Sequence, residues 1–76
     1  MTRLAIPTRT ALKYEEASST VTYIGEASIS SSTSSPVWRI KRITYGSAPT
    51  SITIAWADGN DEFDNVWDNR ASLSYS

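Results

Sequence analysis

Most of the residues in this sequence that could do chemistry fall in one phrase, Trp56-Ala57-Asp58-Gly59-Asn60-Asp61-Glu62-Phe63-Asp64-Asn65-Val66-Trp67-Asp68-Asn69-Arg70. Five of the eight acidic residues and two of the three tryptophans lie in these fifteen positions. Closely spaced carboxylates suit two tasks: acid/base work on a glycosidic bond, and oxygen ligation of calcium. Asp58, Asp61, Glu62 and Asp64 are the candidates for the first. A chain of 76 residues, however, leaves little room for a cleft that desolvates and orients an acid. For the second, an EF-hand counted from Asp58 requires glycine at its sixth position and glutamate at its twelfth. Those places hold Phe63 and Asn69, so the motif fails. A looser oxygen site or a solvated acidic turn is what remains.

Other chemistries fall more simply. The chain has no histidine and no cysteine, which excludes Ser-His-Asp and Cys-His catalysis and any zinc site of the Cys/His type. Its thirteen serines have no visible base to activate them. Arg39, Lys41 and Arg42, near Trp38 and Tyr45, resemble a basic–aromatic cluster that stacks single-stranded nucleic acid. The net charge is −1 and no second basic stripe accompanies them, so solvent-facing strand charges are the better reading. The expectation is a non-enzymatic chain with no cofactor and no metal, and with nucleic acid disfavoured as a partner. Acids keep water whereas indoles leave it. A segment that alternates them folds back over a core or packs on another chain, carboxylates outward. The phrase points to assembly.

A chain this short buries only about 60% of its unfolded surface, and small domains usually add disulfides, a metal or a partner. With disulfides and any Cys/His zinc site removed, oligomerisation or docking on something larger is the default expectation. No apolar run approaches the ~20 residues that cross a bilayer. The start, Met1 to Pro7, lacks the long apolar stretch of a secretory signal, so the sequence reads as soluble and intracellular in origin. Charge is distributed unevenly. Residues 1–57 carry six Lys/Arg against three Glu (+3), and residues 58–76 carry five acids against one Arg (−4). That polarity suits head-to-tail or intramolecular pairing, or else merely keeps the chain in solution.

The elements that must position these groups are short strands. Thr20 to Ile24 alternates weakly. Val37 to Tyr45 places Trp38 and Ile40 on one face and Arg39 and Lys41 on the other, then slips at Arg42 and Ile43. A bulge near Lys41, or a strand covered on both faces, would account for the slip. Ser51 to Trp56 is the cleanest strand, with Ile52, Ile54 and Trp56 on its apolar face. Gly46-Ser47-Ala48-Pro49 reads as the hairpin loop before it, which predicts Trp38 opposite Trp56 and Ile40 opposite Ile54. Ser28 to Pro36 reads as an exposed serine-rich loop, closed by Pro36. Asp58-Gly59-Asn60 signals a turn. Phe63, Val66 and Trp67 then fall at helical spacing, which predicts one short helical turn near residues 61–68, capped by Asn60 or Asp61. Ala71, Leu73 and Tyr75 alternate as a closing strand. Arg3 to Ile6 and Thr10 to Tyr14 are weaker extended candidates, broken by Pro7.

Several of these residues together carry a resemblance. They are Tyr23-Ile24-Gly25-Glu26-Ala27, a small-residue tract, Val37-Trp38-Arg39-Ile40-Lys41-Arg42-Ile43, Ala57-Asp58-Gly59-Asn60, and Phe63-Asp64-Asn65-Val66-Trp67-Asp68-Asn69-Arg70 running on to Tyr75. Over residues 20–76 the series resembles small virion-associated structural proteins of tailed bacteriophages, marine ones especially. The resemblance implies a virion component made in the host cytoplasm: a surface, decoration, or tail and fibre accessory protein. Its implied partners are itself or other virion proteins, in a homo-oligomer or multi-copy assembly away from any membrane.

The fold expected is mainly β, a small antiparallel sheet or sandwich of three to five short strands. Residues 1–19 form an arm or edge strands, and residues 20–76 the β-rich domain. The structural and interface candidates are Trp38, Ile40, Arg42, Ile54, Trp56, Phe63, Trp67, Arg70 and Tyr75. The alternative reading, from a different class, is a glycan-binding module that recognises a host through exposed Trp and Tyr rings.

Overall fold

The computed structural model describes residues 10–46 and 51–76. The extended candidate at Arg3 to Ile6, its break at Pro7, and residues 47–49 of the hairpin loop lie outside the described residues.

The chain is mainly β, as its sequence predicts. Strands β1 (Thr10–Glu16), β2 (Val21–Ser28), β3 (Pro36–Tyr45) and β4 (Ile52–Trp56) lie side by side in that order, every pairing antiparallel. A two-residue strand, β5 (Asn65–Val66), pairs with the start of β3, at Pro36 and Trp38. One 3-10 helix, Trp67–Ser72, follows. Such a run of sequential neighbours is what short connections favour. The Thr20 to Ile24 candidate lengthens into β2, and Thr10 to Tyr14 becomes the edge strand β1.

The sheet has a covered face and an open one. Tyr23, Ala27, Trp38, Ile40 and Ala57 point to the covered face and form the core with Trp67. The cover is the C-terminal segment. It leaves β4 through a tight turn in which Asp58 (φ 60°) and Gly59 (φ 72°) both take the left-handed region, as a type I′ turn requires. It then pairs β5 with β3, crosses the sheet as the 3-10 helix, and returns to the end of β4. There Ser76 and Trp56 exchange both backbone hydrogen bonds at 3.1 Å, and Asp58 N donates to Ser74 O at 2.7 Å.

Gly25 makes the crossing possible. A Cβ at this position would lie 2.5 Å from Cε3 and 2.6 Å from Cζ3 of Trp67, so the indole rests directly on the β2 backbone. The same ring sits 6.0 Å from Trp38, tilted by 44°, within the range of favourable aromatic pairs. The Trp38 indole N–H donates to Ser32 O at 2.9 Å, and Asp68 N donates to Thr33 O at 3.0 Å. Backbone carbonyls of the serine-rich loop thus satisfy a buried donor and the start of the 3-10 helix.

Three local expectations are corrected. First, β4 is turned over: Ala55 and Ala57 face the core, at 8% and 0% exposure, while Ile52 and Ile54 are each 57% exposed. Lys41 pairs with Trp56 and Ile43 with Ile54, so Trp38 does not oppose Trp56, nor Ile40 Ile54. The cause is the C-terminal cover. Tyr75 bridges to Ala57 and packs against the core, leaving room beneath it only for small side chains. Second, register runs unbroken along β2 and β3 from Arg39 to Thr44, so no bulge lies near Lys41; the irregularity falls between Pro36 and Trp38. Arg42 simply faces inward beneath Tyr75, and Ile43 outward. Third, the helical turn occupies Trp67–Ser72, overlapping the expected 61–68 window only at its last two residues. A turn of helix is marginal alone, and Asn65 and Val66 gain more by pairing with unpaired backbone at the start of β3. Ala71 joins that helix, so the expected closing strand shrinks to a single bridge between Tyr75 and Ala57.

The Trp67–Gly25 contact yields a direct test. Gly25→Ala should lower stability by about 1–3 kcal/mol through overpacking. Trp67→Ala should cost about 3–5 kcal/mol through lost burial. Both are read as a fall in urea midpoint. Because both strike one contact, the double variant should lose clearly less than the two single losses added together. A Gly25→Ala protein as stable as its parent would show that the indole does not depend on this glycine.

Candidate interaction surface

The nine sequence candidates divide between the two faces. Trp38, Ile40, Arg42, Trp67, Arg70 and Tyr75 belong to the covered side, where they hold the C-terminal segment down. Ile54 and Trp56 lie on the open side, with Phe63 against Arg39 at its edge.

Arg70 organises the covered side. Its Nε and Nη2 grip the two oxygens of Glu15 at 2.6 and 2.9 Å, its Nη1 donates to Trp67 O at 3.1 Å, and its guanidinium lies 4.7 Å from the Trp67 ring. The planar fork is built for such a two-point grip. The carboxylate it finds is Glu15 of β1, not one from the neighbouring acidic run. Its carbonyl accepts the Tyr75 hydroxyl at 2.8 Å. Tyr75 in turn stands 5.8 Å from the Tyr23 ring and 4.7 Å from the Arg42 guanidinium. The Arg70 hydrogen bond holds the Glu15 carboxyl below its ordinary range, and Glu15 raises Arg70 in return. Burial pushes the Tyr75 hydroxyl up to about 12.

The acidic run does no comparable work. Asp58, Asp61, Glu62 and Asp64 are all exposed. Asn60 Oδ1 accepts from Glu62 N at 2.9 Å, an Asx turn that shapes the loop without gathering its carboxylates. Among the described residues no group of acids is arranged to hold a metal ion, and no pocket is present. The basic–aromatic cluster is also dispersed: Arg39 and Lys41 face the open side, Arg42 the core.

The open face is a grid whose rows follow from the strand register. One row runs Glu16, Thr22, Ile43, Ile54, with Thr22 buried among its neighbours. The next runs Tyr14, Ile24, Lys41, Trp56. A third runs Leu12, Glu26, Arg39, and Phe63 lies beyond it, its ring 4.7 Å from the Arg39 guanidinium. Arg39 also pairs with Glu26 and lies 5.6 Å from the Trp56 ring, while Lys41 Nζ is 5.4 Å from the same ring. Leu12 (68%), Tyr14 (64%), Ile52, Ile54 and Phe63 (51%) are all more than half exposed, and Tyr45 is exposed beside Ile52. Single exposed apolar side chains are ordinary, but a contiguous set on one sheet face marks a contact surface. Sequence reasoning missed Leu12 and Tyr14. The alternation of Leu12 and Tyr14 with Lys13 and Glu15 carried that signal.

The chain matches no known protein family, no curated protein and no solved structure.

The ionic lock sets the pH response. Glu15 ionises more readily in the fold, so its contribution is complete above the ordinary glutamate range. It fades as pH falls through the lowered value. Glu15→Gln should therefore flatten the acid limb of a melting-temperature profile. Tyr75 acts with the opposite sign: stability present below pH 10 should be lost as pH rises toward about 12. Arg70→Lys keeps the charge but loses the fork, and should melt lower than the parent and above Arg70→Ala. Identical melting of all three would reduce Arg70 to a surface charge.

Proposed function

We propose that this chain is a non-enzymatic structural component of a tailed-phage virion, a surface, decoration, or tail and fibre accessory protein. It acts by packing its open sheet face on neighbouring subunits. The observation that carries this reading is the exposure of Leu12, Tyr14, Ile52, Ile54 and Phe63 beside one uncovered sheet. A sheet normally buries one face and solvates the other with polar side chains. Here the uncovered face is largely apolar, which favours a partner that removes it from water. The resemblance of residues 20–76 to tailed-phage virion proteins supplies the setting.

A glycan platform is the second reading, favoured by the rings of Tyr14 and Tyr45 standing exposed on that face. Its weakness is chemical. Ile52, Ile54 and Leu12 offer nothing to sugar hydroxyls, whose desolvation needs hydrogen-bond partners.

Mass spectrometry of purified particles of the encoding phage tests the proposal. The expected result is recovery of this chain at a fixed, multi-copy ratio to the major particle proteins. Expression in infected cells with absence from particles would overturn it. Selective binding to a glycan array by the isolated protein would transfer support to the second reading.

A further inference from the structure

We infer that the open sheet face is completed by a second copy of the same chain, packed face to face about a two-fold axis that runs along the strands. This rests on the reading of the open face as a contact surface, and adds the identity of its occupant.

Area is the first argument. The six exposed large side chains of this face and its edge each present roughly 100 Å², about half of what an aromatic side chain can bury. Two copies would then remove about 1,200 Å² in all, the lower end of specific, stable interfaces. Two equal sheets at the usual ~10 Å separation form a complete sandwich.

Charge complementarity is the second argument, and it fixes the orientation. A two-fold axis along the strands, between β2 and β3, sets β1 over β4 of the other copy and β2 over its β3. Rows are preserved. Glu26 of each copy then meets Arg39 of the other, so the two internal ion pairs join into one cluster of alternating sign. Tyr14 meets Trp56, and Leu12 meets Phe63. Every contact occurs twice, as an isologous interface demands. An axis across the strands instead passes through the middle row, so Lys41 of one copy meets Lys41 of the other, like charge on like charge, and Glu26 faces Thr22 with no cation opposite it.

The chosen axis also sets Glu16 of one copy opposite Ile54 of the other. Within one chain these residues lie three strands apart, roughly 14 Å, and do not touch. Their coupling therefore reports only on contact between copies.

Sedimentation equilibrium of the full chain, from low micromolar to near-millimolar concentration, provides the test. The parent is expected to show a monomer–dimer equilibrium. Ile54→Glu should raise the dissociation constant about a hundredfold, the effect of like charges brought face to face. Ile54→Lys should raise it clearly less, and Glu16→Lys combined with Ile54→Glu should recover most of the loss. Circular dichroism of each variant should match the parent, because Ile54 is exposed in the single chain. A parent that stays monomeric throughout overturns the inference, whatever particle analysis finds. So does equal weakening by either charge without rescue, or a monomer that loses stability on Ile54→Glu, which would mean that the chain's own residues occupy the face. A dimer that meets these expectations sustains the inference even if the chain is absent from particles.

Discussion

The fold depends on one steric fact: an indole lies on a backbone that has no side chain beneath it. Trp67 reaches the sheet only because residue 25 is glycine. Seated there, it gives Trp38 an aromatic neighbour and offers Arg70 a ring on which to stack. Arg70 then grips Glu15 on β1, and its carbonyl holds the Tyr75 hydroxyl. Removing the glycine therefore strikes each of these contacts.

The covered face explains the open one. Once two indoles and Tyr75 occupy one side, the strands beneath them take glycine and alanine at Gly25, Ala27, Ala55 and Ala57. The large apolar residues of β4 turn outward because the side facing the core has no volume for them. Ile52 and Ile54 are thus exposed as a consequence of packing elsewhere, on the same face as Leu12 and Tyr14 but three strands away, with half-buried Ile24 and Ile43 between them. Glu16, Lys41 and the Glu26–Arg39 pair interrupt that surface. Glu26 and Arg39 satisfy each other there beside two aromatic rings, so their charges are held in position before any neighbour arrives.

Much of this was legible in the residues. Threonine-rich and β-branched runs announced β2, β3 and β4, the Asp-Gly pair announced its turn, and the alternation of Trp38 with Ile40 marked the core face of β3. The phase of β4 was not legible. A strand reading Ile-Thr-Ile-Ala-Trp has an obvious apolar side, and only knowledge of what covers the sheet reveals that the small side faces inward. The helical turn was misplaced for a related reason. Phe63, Val66 and Trp67 have helical spacing, but spacing carries no information about unpaired backbone at Pro36 and Trp38, to which Asn65 and Val66 are drawn. Arg70 announced a grip on some oxygen; its partner, 55 positions earlier, left no local trace.

That long span bears on how the protein comes into being. Strands β1 to β4 can pair as they emerge, because each neighbours the last. The contacts that dry the core join residue 25 to 67 and residue 15 to 70, so they must wait until nearly the whole of this sequence has been translated. Non-local closure of this kind is slow, and a chain awaiting it displays Trp38 and Ile40 to solvent. During synthesis the nascent sheet is therefore apolar on both sides, a state the finished fold never occupies. The serine-rich loop lies between β2 and β3 and gives that passing intermediate polar surface while the last segment is made.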